Sequence, residues 1–254
     1  MPQTPATYCQ YKCNDNSDEN VADAVGSNNA VAYDGDGVLS TTNMRVDGKV
    51  NYALEFQVEN GEYLNCDTLF DDIKTDTTGS ICTWVYVDEL NTAKLVCSVA
   101  DTSADEHLFF QIGTDGKVYI GLVDTGGDTE WYLVTSSAVI SATTWTHLAL
   151  VQDGTEPVLY VNGSAANITW SNEDDKTKWL ADLANINNMR IACQNYNGSG
   201  NSDFLNGRID DFRYYQNTAL TAAEVKALYN SGNGTEDDQV TYTTSRHQTI
   251  IIGA

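Results

Sequence analysis

Asp210 and Asp211 are adjacent carboxylates in residues 207–215 (GRIDDFRYY), whose composition is that of a β-strand. Alternation places Asp210 on the side of Phe212 and Tyr214. A carboxylate on a core-facing side is costly unless a cation, an arginine or backbone N–H groups answer it. Asp210 is therefore to be answered by a cation, by an arginine such as Arg208, or by backbone N–H groups. Asp34-Gly35-Asp36-Gly37 is only a turn, too short for an EF-hand loop and without its closing Glu. Of the six cysteines (9, 13, 66, 82, 97 and 193), Cys9 and Cys13 alone are closely spaced. No second pair or nearby His completes a zinc site there. Cys82 and Cys97 can face each other across a hairpin centred near residues 89 and 90, as a disulfide or as buried free thiols. The three histidines assemble no Ser–His–Asp arrangement: His147 lies in an apolar strand as a core residue, and His107 and His247 stand alone.

Aromatic residues offer a different chemistry. Trp131-Tyr132, Trp170, Trp179 and Asn195-Tyr196 lie in or beside stretches rich in Asn, Asp and Gly. Aromatic faces next to amides and carboxylates suit sugars, which present apolar C–H faces and hydroxyl edges. Trp131, Tyr132, Trp170, Asn195 and Tyr196 are the candidate ligand-binding residues; the competing reading for each is ordinary packing under long loops. Four Asn-x-Ser/Thr triplets, at Asn162, Asn167, Asn197 and Asn233, read as chance in so Asn-, Gly- and Ser-rich a chain.

The totals limit the partners. Against 36 acidic residues stand 13 Lys and Arg, a net charge of −23, which repels nucleic acid, anionic membranes and heparin-like polymers. Cations, neutral glycans and basic protein surfaces remain open. At 254 residues the chain can bury a core without disulfides. No run is long enough to span a membrane.

The elements that must position these residues are strands. Residues 80–87 (SICTWVYV), 95–99, 108–112, 118–123, 131–134, 145–151 and 158–161 are β-branched or aromatic runs separated by turn residues at intervals of roughly ten. Asn162-Gly163 is a type I′ hairpin turn, because both positions need φ > 0. In residues 80–87, Cys82, Trp84 and Tyr86 form one buried face. Near the end, Thr221 and Glu224 form a capping box, Leu220 staples onto Val225, and Val225, Leu228 and Tyr229 make the apolar stripe of a short helix stopped at Gly232. The expected fold is all-β: an antiparallel two-sheet jelly-roll sandwich with one short C-terminal helix.

The final stretch, Gly207-x-Ile209-Asp210-Asp211-x-Arg213-x-Tyr215 followed by Leu220-Thr221-x-x-Glu224 and Leu228-Tyr229-x-x-Gly232, resembles the C-terminal signature of laminin-G-like, or concanavalin A-like, jelly-roll domains. Val21, Asp23 and Gly26, the run from Gly48 to Leu64, Trp84, Trp145-x-His147-Leu-Ala149 and Leu159-Tyr-Val-Asn-Gly163 are similar to further motifs of that family. The resemblance spans residues 14–232, leaving residues 1–13 and 233–254 as terminal arms; the apolar Thr249-Ile-Ile-Ile252 either tucks back or docks on a partner. What it implies for metal is a structural Ca²⁺ held by Asp210 and Asp211, the segment at Asp15 and Asn16, and Gly61. It implies little for catalysis: the Glu-x-Asp-x-(x)-Glu run of laminarinase-like relatives is missing, Asp88-Glu89 lacks a third acid, and Gln111-Ile-Gly113 lacks the His of alginate-lyase-like relatives.

The chain is thus expected to be a non-catalytic binding module that contacts glycans through its loops and neighbouring subunits through its arms, in a homo-oligomer or larger assembly. The start MPQTPATYCQ has neither a basic segment nor an apolar one. Read as complete, such a protein is assembled in the cytoplasm and works outside, as on the surface of a virus particle, a phage above all. The alternatives are a secreted carbohydrate-binding or adhesion module whose signal was removed, and a glycan-active enzyme.

Overall fold

The computed structural model describes residues 1–244, so the apolar stretch at residues 249–252 and His247 lie outside the described residues. Two antiparallel sheets pack face to face. The smaller has eight strands: Ser164–Ala165, Pro157–Val161, Thr146–Gln152, Gly79–Val87, Gly207–Gln216, Tyr52–Phe56 and Arg45–Asp47 in spatial order, with Cys9–Tyr11 also paired to Gly207–Gln216. The larger has ten: Ile168–Glu173, Thr129–Thr135, Val118–Val123, His107–Ile112, Lys94–Ala100, Asn188–Ile191, Tyr63–Asn65, Ala30–Asp34 and Asn20–Val21, with Gly37–Val38 beside Ala30–Asp34. Between them lie the side chains that alternation sends inward, including Ile81, Val85, Phe110, Ile120, Leu133, Leu148 and Ile209. At Asn162 and Gly163 φ is 49° and 73°, as the hairpin turn requires.

The short helix is Ala222–Tyr229, with Thr221 as N-cap and a reciprocal bond from Glu224. Its stop is Asn230, left-handed at φ 49°, two residues earlier than the sequence suggested. This helix covers the outer face of the smaller sheet: Leu220, Val225 and Leu228 pack on Cys82, Ala149, Val151 and Tyr215. Trp84 belongs to that outer layer as well, stacked on Tyr229 at 5.7 Å with His147 edge-on at 5.2 Å. The Cys82–Trp84 face is thus buried beneath the helix and not in the core between the sheets. Cys82 and Cys97 sit on strands of opposite sheets rather than across a hairpin, and all six thiols are free and buried. Burial pushes both thiols up to about 12, which keeps them unreactive.

The last strand does not keep simple alternation. Asp211 has φ 49°, and the pairing with Gly79–Val87 slips between Asp210 and Arg213. This β-bulge inserts one residue and reverses the facing, so Ile209, Phe212 and Tyr214 all enter the core while Asp210 and Arg213 turn out of it. Asp210 therefore does not share the face of Phe212. Its Oδ2 accepts the backbone N–H groups of Lys49 (2.7 Å) and Val50 (2.8 Å), while Arg208 pairs with Glu55. Arg213, buried beside it, binds Asp211 at 3.0 Å and donates to the carbonyls of Thr235 (2.7 Å) and Asp237 (2.8 Å). Gln10 joins in, donating to Asp211 (2.7 Å) and to the Glu236 carbonyl (3.1 Å).

The two terminal segments are accordingly fastened to the sandwich and to each other. Cys9–Tyr11 is a sheet strand, Thr4 N–H donates to Val240 O (2.9 Å), Tyr242 N–H to Pro2 O (2.9 Å), and Thr7 N–H to Asp238 Oδ1 (2.8 Å). Their described parts are intramolecular elements, not extended arms.

Two outcomes test this description. Thr221→Ala removes one partner of the capping box and should cost about 1 kcal/mol in urea unfolding, with the m-value unchanged. Burial pushes the Asp210 carboxyl up to about 8, against the pull of the Val50 and Lys49 amides. The folded state then holds a proton the unfolded state releases, so the associated stability is full at low pH and is lost as pH rises through about 8. The thermal midpoint of the wild type should fall between about pH 4 and 8 relative to that of Asp210→Asn, whose side-chain oxygen still accepts both amides, and the two should run parallel above about pH 9. Curves parallel at every pH, or a calcium-dependent rise of the wild-type midpoint, would show instead an ionised carboxyl held by a cation.

Candidate functional site

Of the residues expected to hold calcium, Asp15, Asp210 and Asp211 all lie near the Cys13 thiol, whereas Gly61 lies by Gly35 and Phe204. Asp210 Oδ2 faces two N–H donors while its buried Oδ1 has no hydrogen-bond partner, and Asp211 is engaged by Arg213 and Gln10. Asp15 approaches the pair through Cys13, whose buried thiol is raised further by all three carboxyls. Asp15 itself accepts the Ala22 N–H at 3.1 Å, and Asn16 is exposed. Gly61 is elsewhere: at φ 66° it closes a turn against Gly35 and Phe204. Among the described residues no group of three or more His, Cys, Asp or Glu is arranged to hold a metal ion.

The aromatic candidates divide by strand parity. In Thr129–Thr135, Trp131 and Leu133 point inward; Trp131 is 0% exposed, stacks on Trp179 at 6.4 Å, and spends its indole N–H on Lys178 O (3.0 Å). It is a core residue and not a ligand platform. Trp170 packs against the same core, with Lys176 Nζ 5.0 Å over its ring. Tyr132, one residue from Trp131, faces outward.

Around Tyr132 the outer face of the larger sheet carries a cluster that no single stretch of sequence contains. Cross-strand pairing places Tyr132, Gly121, Phe109 and Ser98 in one row. Phe109 meets Tyr132 edge-on at 5.5 Å, and Tyr119 lies 6.3 Å from Tyr132. Gly121 makes this possible, because a Cβ there would stand 2.6 Å from the Phe109 ring. His107 joins from the other side, 5.3 Å from Phe109 and 4.7 Å from Tyr196. His107, Phe109, Tyr132 and Tyr196, with Gln111, Thr129 and Gln194, line an open depression of about 230 Å³. Phe109, Tyr132 and Tyr196 are half-buried.

The polar edge is neutral. Burial holds His107 below the ordinary histidine range although Asp105 stands 3.4 Å from its Nδ1 and pulls the other way. A neutral imidazole offers one donor and one acceptor, and the glutamine amides offer both. No Lys, Arg, Asp or Glu is among the described lining residues. Tyr196 and Tyr132, both expected from the sequence, are thus brought together. Asn195 lies beside them in a short ribbon of Gln194–Asn195 and Asn201–Ser202, held through its carbonyl by Asn188 Nδ2 at 3.0 Å. His107, Phe109, Gln111, Gly121 and Gln194 were not expected; the available signal was the alternation in His107-Leu-Phe-Phe-Gln-Ile112, with polar and aromatic residues at every second position.

Comparisons with known proteins agree with this architecture. The sequence matches the profile of the concanavalin A-like lectin/glucanases superfamily over residues 57–226. No curated protein matches the chain. Among solved structures, domain 4 of a GH43 extracellular arabinanase from Geobacillus stearothermophilus, in complex with arabinotriose, is similar with a TM-score of 0.62 and 17% identity, covering 89% of this chain and 98% of that one. The CBM40 of the Ruminococcus gnavus IT-sialidase bound to α2,3-sialyllactose is similar with a TM-score of 0.57 and 18% identity, covering 70% and 95%. A NanB sialidase from Streptococcus pneumoniae matches with a TM-score of 0.56 and 15% identity over 65% of this chain and 26% of that one. At such identities the likeness is one of fold. With more than half of its length under the family profile, the chain belongs to the concanavalin A-like lectin/glucanase superfamily.

Proposed function

We propose that the protein is a non-catalytic carbohydrate-binding module that takes a neutral glycan on the outer face of its larger sheet. The observation that carries this is the half-exposed cluster of Phe109, Tyr132 and Tyr196, opened by Gly121 and edged by Gln111, Gln194 and His107. Ring faces of this kind cover the C–H faces of sugars, and the amides and imidazole pair with hydroxyls. Two of the structural neighbours are complexes with arabinotriose and sialyllactose, which supports a glycan as the ligand class. Charge separates the two kinds of sugar. The described lining has no cation to meet a sugar carboxylate, and the net charge of −23 repels one. The same lining has no carboxylate, so the acid–base pair that glycoside cleavage requires is not supplied there.

The test is an array of neutral and acidic glycans followed by titration of the best neutral binder. Tyr132→Ala should weaken binding about tenfold, the equivalent of ~1.4 kcal/mol. Gly121→Ala should weaken it comparably by displacing Phe109, with the thermal midpoint within a few degrees of wild type. Retention of acidic glycans alone, or full affinity in both variants, would contradict the reading.

A further inference from the structure

The outer face of the larger sheet carries a second aromatic platform, formed by Tyr33, Tyr63 and Phe204. Tyr33 and Tyr63 are paired across neighbouring strands and stack at 5.4 Å with their planes 12° apart. Phe204 continues the surface 6.4 Å from Tyr63. All three are half-exposed, and the flanking Ala32 and Leu64 point into the core, so the rings face outward. They floor an open depression of about 660 Å³. Its walls are two preorganised turns: Asp34 Oδ1 accepts the N–H groups of Asp36 (2.8 Å) and Gly37 (2.9 Å), and Gly35 N–H reaches Asn60 O (2.8 Å). Val58, 40% exposed, adds an apolar edge.

This platform lies on the same face of the sheet as the first. Strand order places Tyr63–Asn65 three strands from His107–Ile112, a separation of about 14 Å at ~4.8 Å per strand. Between them stand the Gln194–Asn195 and Asn201–Ser202 ribbon and Arg190, whose guanidinium lies 5.8 Å over the Tyr63 ring and pairs with Asp67 at 2.6 Å. The ribbon is fixed as a ridge, because Ser98 Oγ donates to Cys193 O (3.1 Å) and Asn188 Nδ2 to Asn195 O (3.0 Å). The ridge contributes to both depressions: Gln194 and Tyr196 line one, Asn201 and Phe204 the other. Two aromatic floors on one face, about three strands apart and sharing one polar ridge, match an extended polymer better than a single terminal sugar.

We propose that the ligand is an internal stretch of a neutral polysaccharide, with successive sugars occupying the Tyr132 depression, the ridge, and the Tyr33–Tyr63–Phe204 platform. The acidic groups at the second platform, Asp34, Asp36 and Glu59, supply hydroxyl acceptors and exclude anionic sugars. This proposal rests on the glycan reading of the first depression and extends it along the sheet.

The experiment is isothermal titration of the folded protein with three-unit and six-unit oligosaccharides of the arabinan, cellulose, β-1,3-glucan and mannan series. In the series that binds, the six-unit ligand should be held about tenfold more tightly than the three-unit one. Tyr33→Ala should abolish that length advantage while leaving three-unit affinity unchanged, which also shows that the variant is folded. Val58→Arg, at an exposed rim position, should do the same by obstruction. Tyr132→Ala should weaken both lengths. Three-unit binding with no length advantage, or an advantage that survives both Tyr33→Ala and Val58→Arg, would overturn the extended site and leave the first depression standing. Failure of every series to bind would overturn the glycan reading itself.

Discussion

The bulge at Asp211 is the constraint on which the rest of the architecture turns. One extra residue in the longest strand lets Ile209, Phe212 and Tyr214 fill the core together, and it rotates Asp210 and Arg213 to the outside. A buried guanidinium needs acceptors, and Arg213 finds them in Asp211 and in the carbonyls of residues 235 and 237. The chain after the helix is thereby drawn across the smaller sheet, and the N-terminal segment is tied to it through Gln10 and Thr4. The helix itself shields Cys82, Val151 and Tyr215.

The two outer faces of the sandwich consequently differ. That of the smaller sheet is covered by helix and termini. That of the larger sheet is left accessible over the aromatic clusters, where Phe109, Tyr132, Tyr63 and Tyr33 are half-exposed. Placing several rings partly in water forgoes burial that the core would reward, so their grouping on one face is the feature most in need of a functional explanation. A neutral sugar chain provides one, because it brings C–H faces to the rings without bringing charge to a strongly acidic surface.

Much of this was written in local chemistry. The capping box at Thr221 and Glu224, the Asn162-Gly163 turn and the strand spacing depend on residues close in sequence, so fold class and helix position could be read directly. The terminal family signature carried the rest of the fold. What escaped the sequence depends on parity and distance. Trp131 and Tyr132 are neighbours with opposite fates, and the hydrophobic pattern does not say which of two aromatics faces the core. The bulge inverted the face assigned to Asp210, because one positive φ at a non-glycine residue leaves no mark in composition. The platform residues come from five strands or loops, and Gly121 matters only because Phe109 lies over it. His107 reads as an isolated histidine until Tyr196 is folded back beside it.

The most direct measurement is a crystal structure of the protein soaked with a neutral oligosaccharide that it retains. The account predicts sugar rings lying against Tyr132 and Phe109 on the larger sheet, with hydroxyls within hydrogen-bonding distance of Gln111 or Gln194. Sugar bound instead on the helix side of the sandwich, or at the buried Asp210–Arg213 cluster, would contradict it.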